Sequence, residues 1–159
     1  MKTGNPGLRA EIQQARPFES PAQEAFLNLV RTAATLEHAF EDGLKRYRVT
    51  ATQYNVLRIL RGAGEGGLCR NEVNARMIAP VPDATRLLDR LEARGYVERH
   101  READDRRFVT ARISGAGLEL LERMERPVAE LHEAQLGHLS APELRQLIAL
   151  LERARTVSG

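Results

Sequence analysis

"DATRLLDRLEARGYVERHREADDRRFVTARI", residues 83–113, decides the fold. Over 83–94, Ala84, Leu87, Leu88 and Leu91 recur at three- and four-residue spacing, which makes one apolar stripe of a helix. Thr85, Arg86, Asp89, Arg90 and Ala93 then fall on the opposite face. Gly95 suits the left-handed residue that closes many helices. Beyond it, Tyr96–Arg101 and Arg107–Ile113 read as two strands, with Val97, Val109, Ala111 and Ile113 on one face. Between them His100, Arg101, Arg106 and Arg107 crowd around Glu102, Asp104 and Asp105. The segment is a helix followed by a hairpin with a charged tip.

Upstream, Phe26, Val30, Ala33, Leu36, Phe40, Leu44 and Tyr47 predict one long helix. Thr50-Ala-Thr-Gln53 has capping-box form and introduces a second, with Tyr54, Leu57 and Leu60 inward. "RGAGEGG", 61–67, is a turn, and a third short helix begins near Cys69 with Val73 and Met77 at its buried edge. "APVP", 79–82, breaks the chain and puts Pro82 in the first turn of the 83–94 helix. Downstream, Ser114 caps a long helix with Leu118, Leu121, Val128, Leu131 and Gln135 near a seven-residue spacing, interrupted by Pro127. Ser140-Ala-Pro-Glu143 opens a last helix with Leu144, Leu147, Ile148 and Leu151 on one side. The expected fold is therefore mainly α with a small two-stranded β-wing: four helices, a hairpin, then two helices.

Two short helices joined by a Pro-containing turn and followed by a hairpin make a winged helix-turn-helix. In such proteins the second helix enters the DNA major groove. Arg86 is the expected base contact, because Arg can donate two bonds to guanine O6 and N7. Thr85 suits a base or phosphate, and Arg90, a turn later, the backbone. Asp83 at the helix start opposes the attraction of free N–H groups for phosphate. Arg70, opening the preceding helix, completes the expected DNA surface with these and with Arg106 and Arg107. The competing reading makes Arg86 and Arg90 solvated residues paired with Asp89. A hairpin tip beside the reading helix can reach a narrow minor groove, which attracts Arg. Asp105 would structure that tip by accepting from a nearby Arg and from turn N–H groups, leaving one of Arg106 and Arg107 for DNA.

Totals say less than placement. The formal charge is +2, and although 22 of the 24 basic residues are Arg, the ten Arg of 70–112 face eight acidic residues. The start of the chain has no continuous apolar run of the signal-peptide kind, and nothing is long enough to span a bilayer. Cys69 stands alone, so no internal disulfide is expected and a cytoplasmic location is. The four His residues (38, 100, 132, 138) have no metal-ligand spacing with Cys69, so neither a metal nor a cofactor is expected. The winged dimerisation domain of a small-molecule methyltransferase is a second class, but no Gly-rich cofactor unit follows. No enzyme is expected.

"ATRLLDRLEARGYVERHREADDRRFVTARISGAGLELL", 84–121, closely resembles the core of the MarR family of bacterial transcriptional regulators. The marks are the Thr-Arg-Leu-Leu-Asp-Arg-Leu-Glu helix, Arg94-Gly95 with Val97 and Arg99 after it, Asp105-Arg106-Arg107, and "ISGAG", 113–117. The resemblance implies an N-terminal arm over 1–21 and a MarR-type domain over 22–156. Within that domain the winged core covers about 50–113, and dimerisation helices cover about 8–48 and 115–156. It further implies a homodimer, with Leu144, Leu147, Ile148, Leu151 and Phe18 in its interface, binding a pseudo-palindromic operator in double-stranded DNA, often as a repressor. The family's Asp-x-Arg wing element falls on Asp105 and Arg107. Many members release DNA when a small aromatic acid binds, and His38, Arg46, Tyr47 and Arg48 are available for such an anion. Others respond to cysteine oxidation. A helix N-terminus beside Arg70 would favour a reactive Cys69, but the peroxide-sensing branch carries its cysteine near the chain start, so a structural thiol is expected. The remaining alternative is an architectural or RNA-binding winged protein with little sequence preference.

Overall fold

The computed structural model describes residues 7–101 and 109–156. The chain divides into two compact units, 1–42 and 43–159. The first unit holds a short helix α1 (Leu8–Glu11) and most of α2 (Pro21–Leu44). Much of α2 is bare: Phe26, Leu29 and Val30 are all exposed, Phe26 by 63%.

The second unit begins with the end of α2 and a 3₁₀ turn over Lys45–Tyr47. There follow α3 (Ala51–Ala63), a second 3₁₀ turn (Gly64–Gly66), β1 (Leu68–Cys69), α4 (Arg70–Arg76), α5 (Ala84–Ala93), β2 (Val97–Arg101), β3 (Val109–Ile113), α6 (Gly115–Leu136) and α7 (Ala141–Arg155). The expected hairpin is there, with Val97 opposite Ile113 and Arg101 opposite Val109. It is not alone, however. The two-stranded wing expected from the sequence becomes a three-stranded antiparallel sheet of order β1-β3-β2, in which Leu68 pairs with Ala111 and Cys69 with Thr110. The backbone just before β1 packs tightly: a Cβ on Gly67 would stand 2.7 Å from the Ala111 carbonyl oxygen, and its φ of +65° suits only glycine.

The core of this unit is made by one face of each helix. Val56, Leu57 and Leu60 of α3, Val73 of α4, Leu91 of α5 and Val97 of β2 are fully buried with Leu120, Leu121 and Met124 of α6. Each such side chain contributes about 1.5–3 kcal/mol by leaving water. The inward stripe of α6 is Gly117, Leu120, Leu121, Met124 and Val128, whereas Leu118 is 39% exposed. The seven-residue reading thus caught only part of that face. Pro127 does not divide the helix either: α6 runs through it from Gly115 to Leu136. Proline has no N–H, so the Arg123 carbonyl four residues earlier loses its helical donor. The Tyr47 hydroxyl donates to that oxygen, at 3.4 Å.

The strand-to-helix junction fastens α6. Ser114 accepts from the Gly117 N–H at 3.1 Å while its own hydroxyl donates to the Gly95 carbonyl at 2.6 Å. Gly117 is required because any Cβ there would collide with the Tyr96 carbonyl oxygen. No described helix is long and apolar enough to cross a membrane.

Candidate nucleic-acid interface

The site is built on α4, its turn and α5. Cys69 occupies the N-cap position of α4, and Glu72 closes that end by accepting the Cys69 backbone N–H at 2.8 Å. The same bond holds the Glu72 carboxyl below its ordinary 4.5. Cys69 itself is half-buried. The Asn74 side chain accepts from the Val81 N–H at 2.9 Å and so ties the turn back to α4.

Helix α5 starts one residue later than the expected 83, because Asp83 is its N-cap rather than its first turn. Pro82 accordingly lies in the turn before the cap, not in the helix. Asp83 Oδ1 accepts from the Arg86 N–H at 2.9 Å. At the other end Gly95 has φ +73°, its N–H bonds the Glu92 carbonyl at 2.8 Å, and the Tyr96 N–H bonds that of Leu91 at 3.0 Å. That pair of bonds is the Schellman closure.

With both ends fastened, the faces of α5 are set. Ala84, Leu88 and Leu91 are buried, and Leu87 is half-buried beside them. Arg86 and Arg90 are exposed, and their side chains carry no hydrogen bond or ion pair among the described residues. Asp89, read as their partner if they merely solvate the face, instead pairs with Arg99 of β2. Periodicity pointed to no such role for Arg99, since a strand-to-helix ion pair leaves no repeat in the sequence. Thr85 is half-buried, and its hydroxyl accepts from Arg70 Nη1 at 3.2 Å, so α4 and α5 are bonded at their N-terminal ends. Thr85 and Asp83 therefore have partners within the protein, while the Arg86 and Arg90 side chains have none among the described residues.

A cleft of about 350 Å³ opens beside this bond, walled by Cys69, Arg70, Thr85, Leu88, Arg99 and Ala111 among others. None of the residues expected to hold an anionic ligand lines it. His38, on α2, faces Asp42 at 3.6 Å. Tyr47 has the Arg46 guanidinium 4.9 Å from its ring centre. Arg48 sits at φ 57° and its carbonyl accepts from Arg94. Asp105, Arg106 and Arg107 lie outside the described residues. Leu144, Leu147 and Leu151 of α7 are half-buried and Ile148 is 54% exposed; Phe18 is half-buried in the first unit.

A helix-turn-helix whose second helix turns two exposed guanidinium groups outward, next to a β-hairpin, has the form of a DNA-binding regulator of the winged class. Residues 49–107 match the MarR family. The multiple antibiotic resistance protein MarR of Salmonella typhimurium is 33% identical over 108 residues, which is 66% of this chain and 72% of that protein. The crystal structure of a MarR transcription factor from Planctomyces limnophilus superposes with a TM-score of 0.67 at 43% identity, over 86% of this chain and 98% of the other. MepR of S. aureus, solved in complex with DNA, has the same fold at a TM-score of 0.74 and 22% identity, over 82% and 96%. This chain belongs to the MarR family of transcriptional regulators.

Proposed function

We propose that the protein acts as a homodimer that reads an inverted-repeat operator and represses the genes beside it. The observation that carries the reading is the outward face of α5: Arg86 and Arg90 stand exposed, their side chains unpaired among the described residues, on a helix capped at both ends. Arg86, near the N-terminus of α5, supplies the bidentate contact to a guanine, and Arg90 and Arg70 bond phosphates. The DNA complex of MepR supports this reading by analogy of fold. A dimer is supported by the apolar side chains that a single chain leaves in water, Ile148 and Leu150 on α7 and Phe26, Leu29 and Val30 on α2. Two copies related by a two-fold axis would place their reading helices on half-sites about one helical turn apart.

Selection of bound duplexes from a random pool tests the proposal. An inverted repeat bound at least ~10³-fold over random duplex is expected. Enrichment of no sequence, with binding governed only by salt, would replace it with an architectural role.

A further inference from the structure

Residues 83–94 hold three acidic side chains (Asp83, Asp89, Glu92) and three basic ones (Arg86, Arg90, Arg94), so the reading helix has no net charge of its own. Its acidic groups must be managed if its face is to meet phosphates. Asp83 is spent on the N-cap. The other two meet one cation. Arg99 Nη2 donates to the Thr85 carbonyl at 3.2 Å and to Asp89, and its Nε lies 3.4 Å from Glu92. Thr85, Asp89 and Glu92 follow one another at four and three residues, one stripe along α5.

Asp89 had another partner within reach. Arg86 precedes it by three residues, about 60° further round the helix, a spacing at which opposite charges pair readily. What decides between them is anchorage. The Arg99 side chain is 24% exposed against 52% for Asp89, and Arg99 stands mid-strand in β2, opposite Ala111 of the central strand. Its planar fork meets the helix from the side, with little left to order. Arg86 by contrast would give up the rotamer freedom of an exposed side chain to close the pair.

We propose that Arg99 is a positioning residue for DNA reading: by holding Asp89 and Glu92 it keeps Asp89 off Arg86 and removes two negative charges from the edge of the groove-facing surface. The inference rests on the assignment of α5 to the major groove made above. Arg99 touches no base in this scheme. It acts through Asp89, and the strand that carries it is also one arm of the wing.

Arg99→Gln tests this by removing the charge while keeping a polar side chain at the strand. Affinity is read by fluorescence anisotropy at fixed salt, on a duplex recovered by selection from a random pool. Arg99→Gln should weaken binding by about tenfold or more, as expected for carboxylates left facing phosphates. Adding Asp89→Asn to the same chain should restore affinity to within about threefold of the wild type, and Asp89→Asn alone should leave it within the same margin. A double variant as weak as Arg99→Gln would overturn the proposal, because loss of packing or of a direct DNA contact is not repaired by neutralising Asp89. Unchanged binding by Arg99→Gln would also overturn it, while leaving the reading of α5 to stand on Arg86→Ala. A wild-type protein that enriches no duplex would overturn both.

Discussion

Asp83 accepts the backbone N–H of Arg86 at 2.9 Å, so the acidic residue at the head of α5 caps its own helix. A carboxylate there opposes a phosphate, yet it satisfies an N–H that would otherwise need water. Asp83→Ala should therefore cost about 1 kcal/mol of stability, and Asp83→Asn much less, because Asn caps as well as Asp. Urea denaturation measures both. Equal losses would show that charge, not the cap bond, is what matters at this position.

Arg86→Ala should weaken operator binding by about 1–3 kcal/mol and relax preference at one base pair. Competition between the selected duplex and single-position variants reads this. A uniform loss on every sequence would make Arg86 a phosphate contact.

Leu147→Glu with Leu151→Glu should give a monomer that no longer binds an inverted repeat. Neither side chain is fully buried within one chain, so the second unit should still fold. Light scattering with circular dichroism checks this: a folded dimer would remove α7 from the interface.

Acid should loosen two helix starts. Glu72 and Glu143 both titrate below 4.5, Glu72 through the Cys69 N–H and Glu143 through the Ser140 hydroxyl at 2.6 Å and its N–H at 2.8 Å. A depressed folded-state value means that the stabilisation is present above the unfolded value and is lost as pH falls through the folded one. Stability should thus decline below pH 4.5, and Glu72→Gln with Glu143→Gln should flatten that decline, since Gln keeps the capping box without the charge. Chemical denaturation midpoints from pH 7 to pH 3 decide it. An acid limb unchanged by the double substitution would assign the loss to other carboxylates.

What the sequence made legible was whatever repeats or punctuates. The apolar spacing of Ala84, Leu88 and Leu91 forced Arg86 and Arg90 outward, and Gly95 announced its own left-handed turn. Boundaries at Ser114 and Ser140 came from the same local chemistry, side chains competing for free N–H groups. Other features had no local signal. Strand β1 is two residues long, too short to alternate, and exists because β3 offers a free edge. Helix α1, four residues, has no period either. The bond from Arg70 to Thr85 joins residues 15 apart and the grip of Arg99 on α5 joins residues 7 to 14 apart, and both follow from packing that no periodicity in the sequence announces. Along α6, reading sevens from Leu118 and Leu121 passed over Leu120 and Met124, which are as deeply buried as Leu121 itself.

The proline in α6 has an effect beyond its own helix. By withholding an N–H it leaves the Arg123 oxygen vacant, and the Tyr47 hydroxyl takes the place. A flaw in one helix thereby becomes a mooring for another stretch of backbone, the bend that carries Arg48 and receives Arg94 from the far end of α5. Filling in the flaw with Pro127→Ala would give the Arg123 oxygen a helical donor again and loosen the Tyr47 mooring, leaving the bend to the bond from Arg94. The proposed DNA-reading face would then be slackened from behind, with Arg86 and Arg90 still in place.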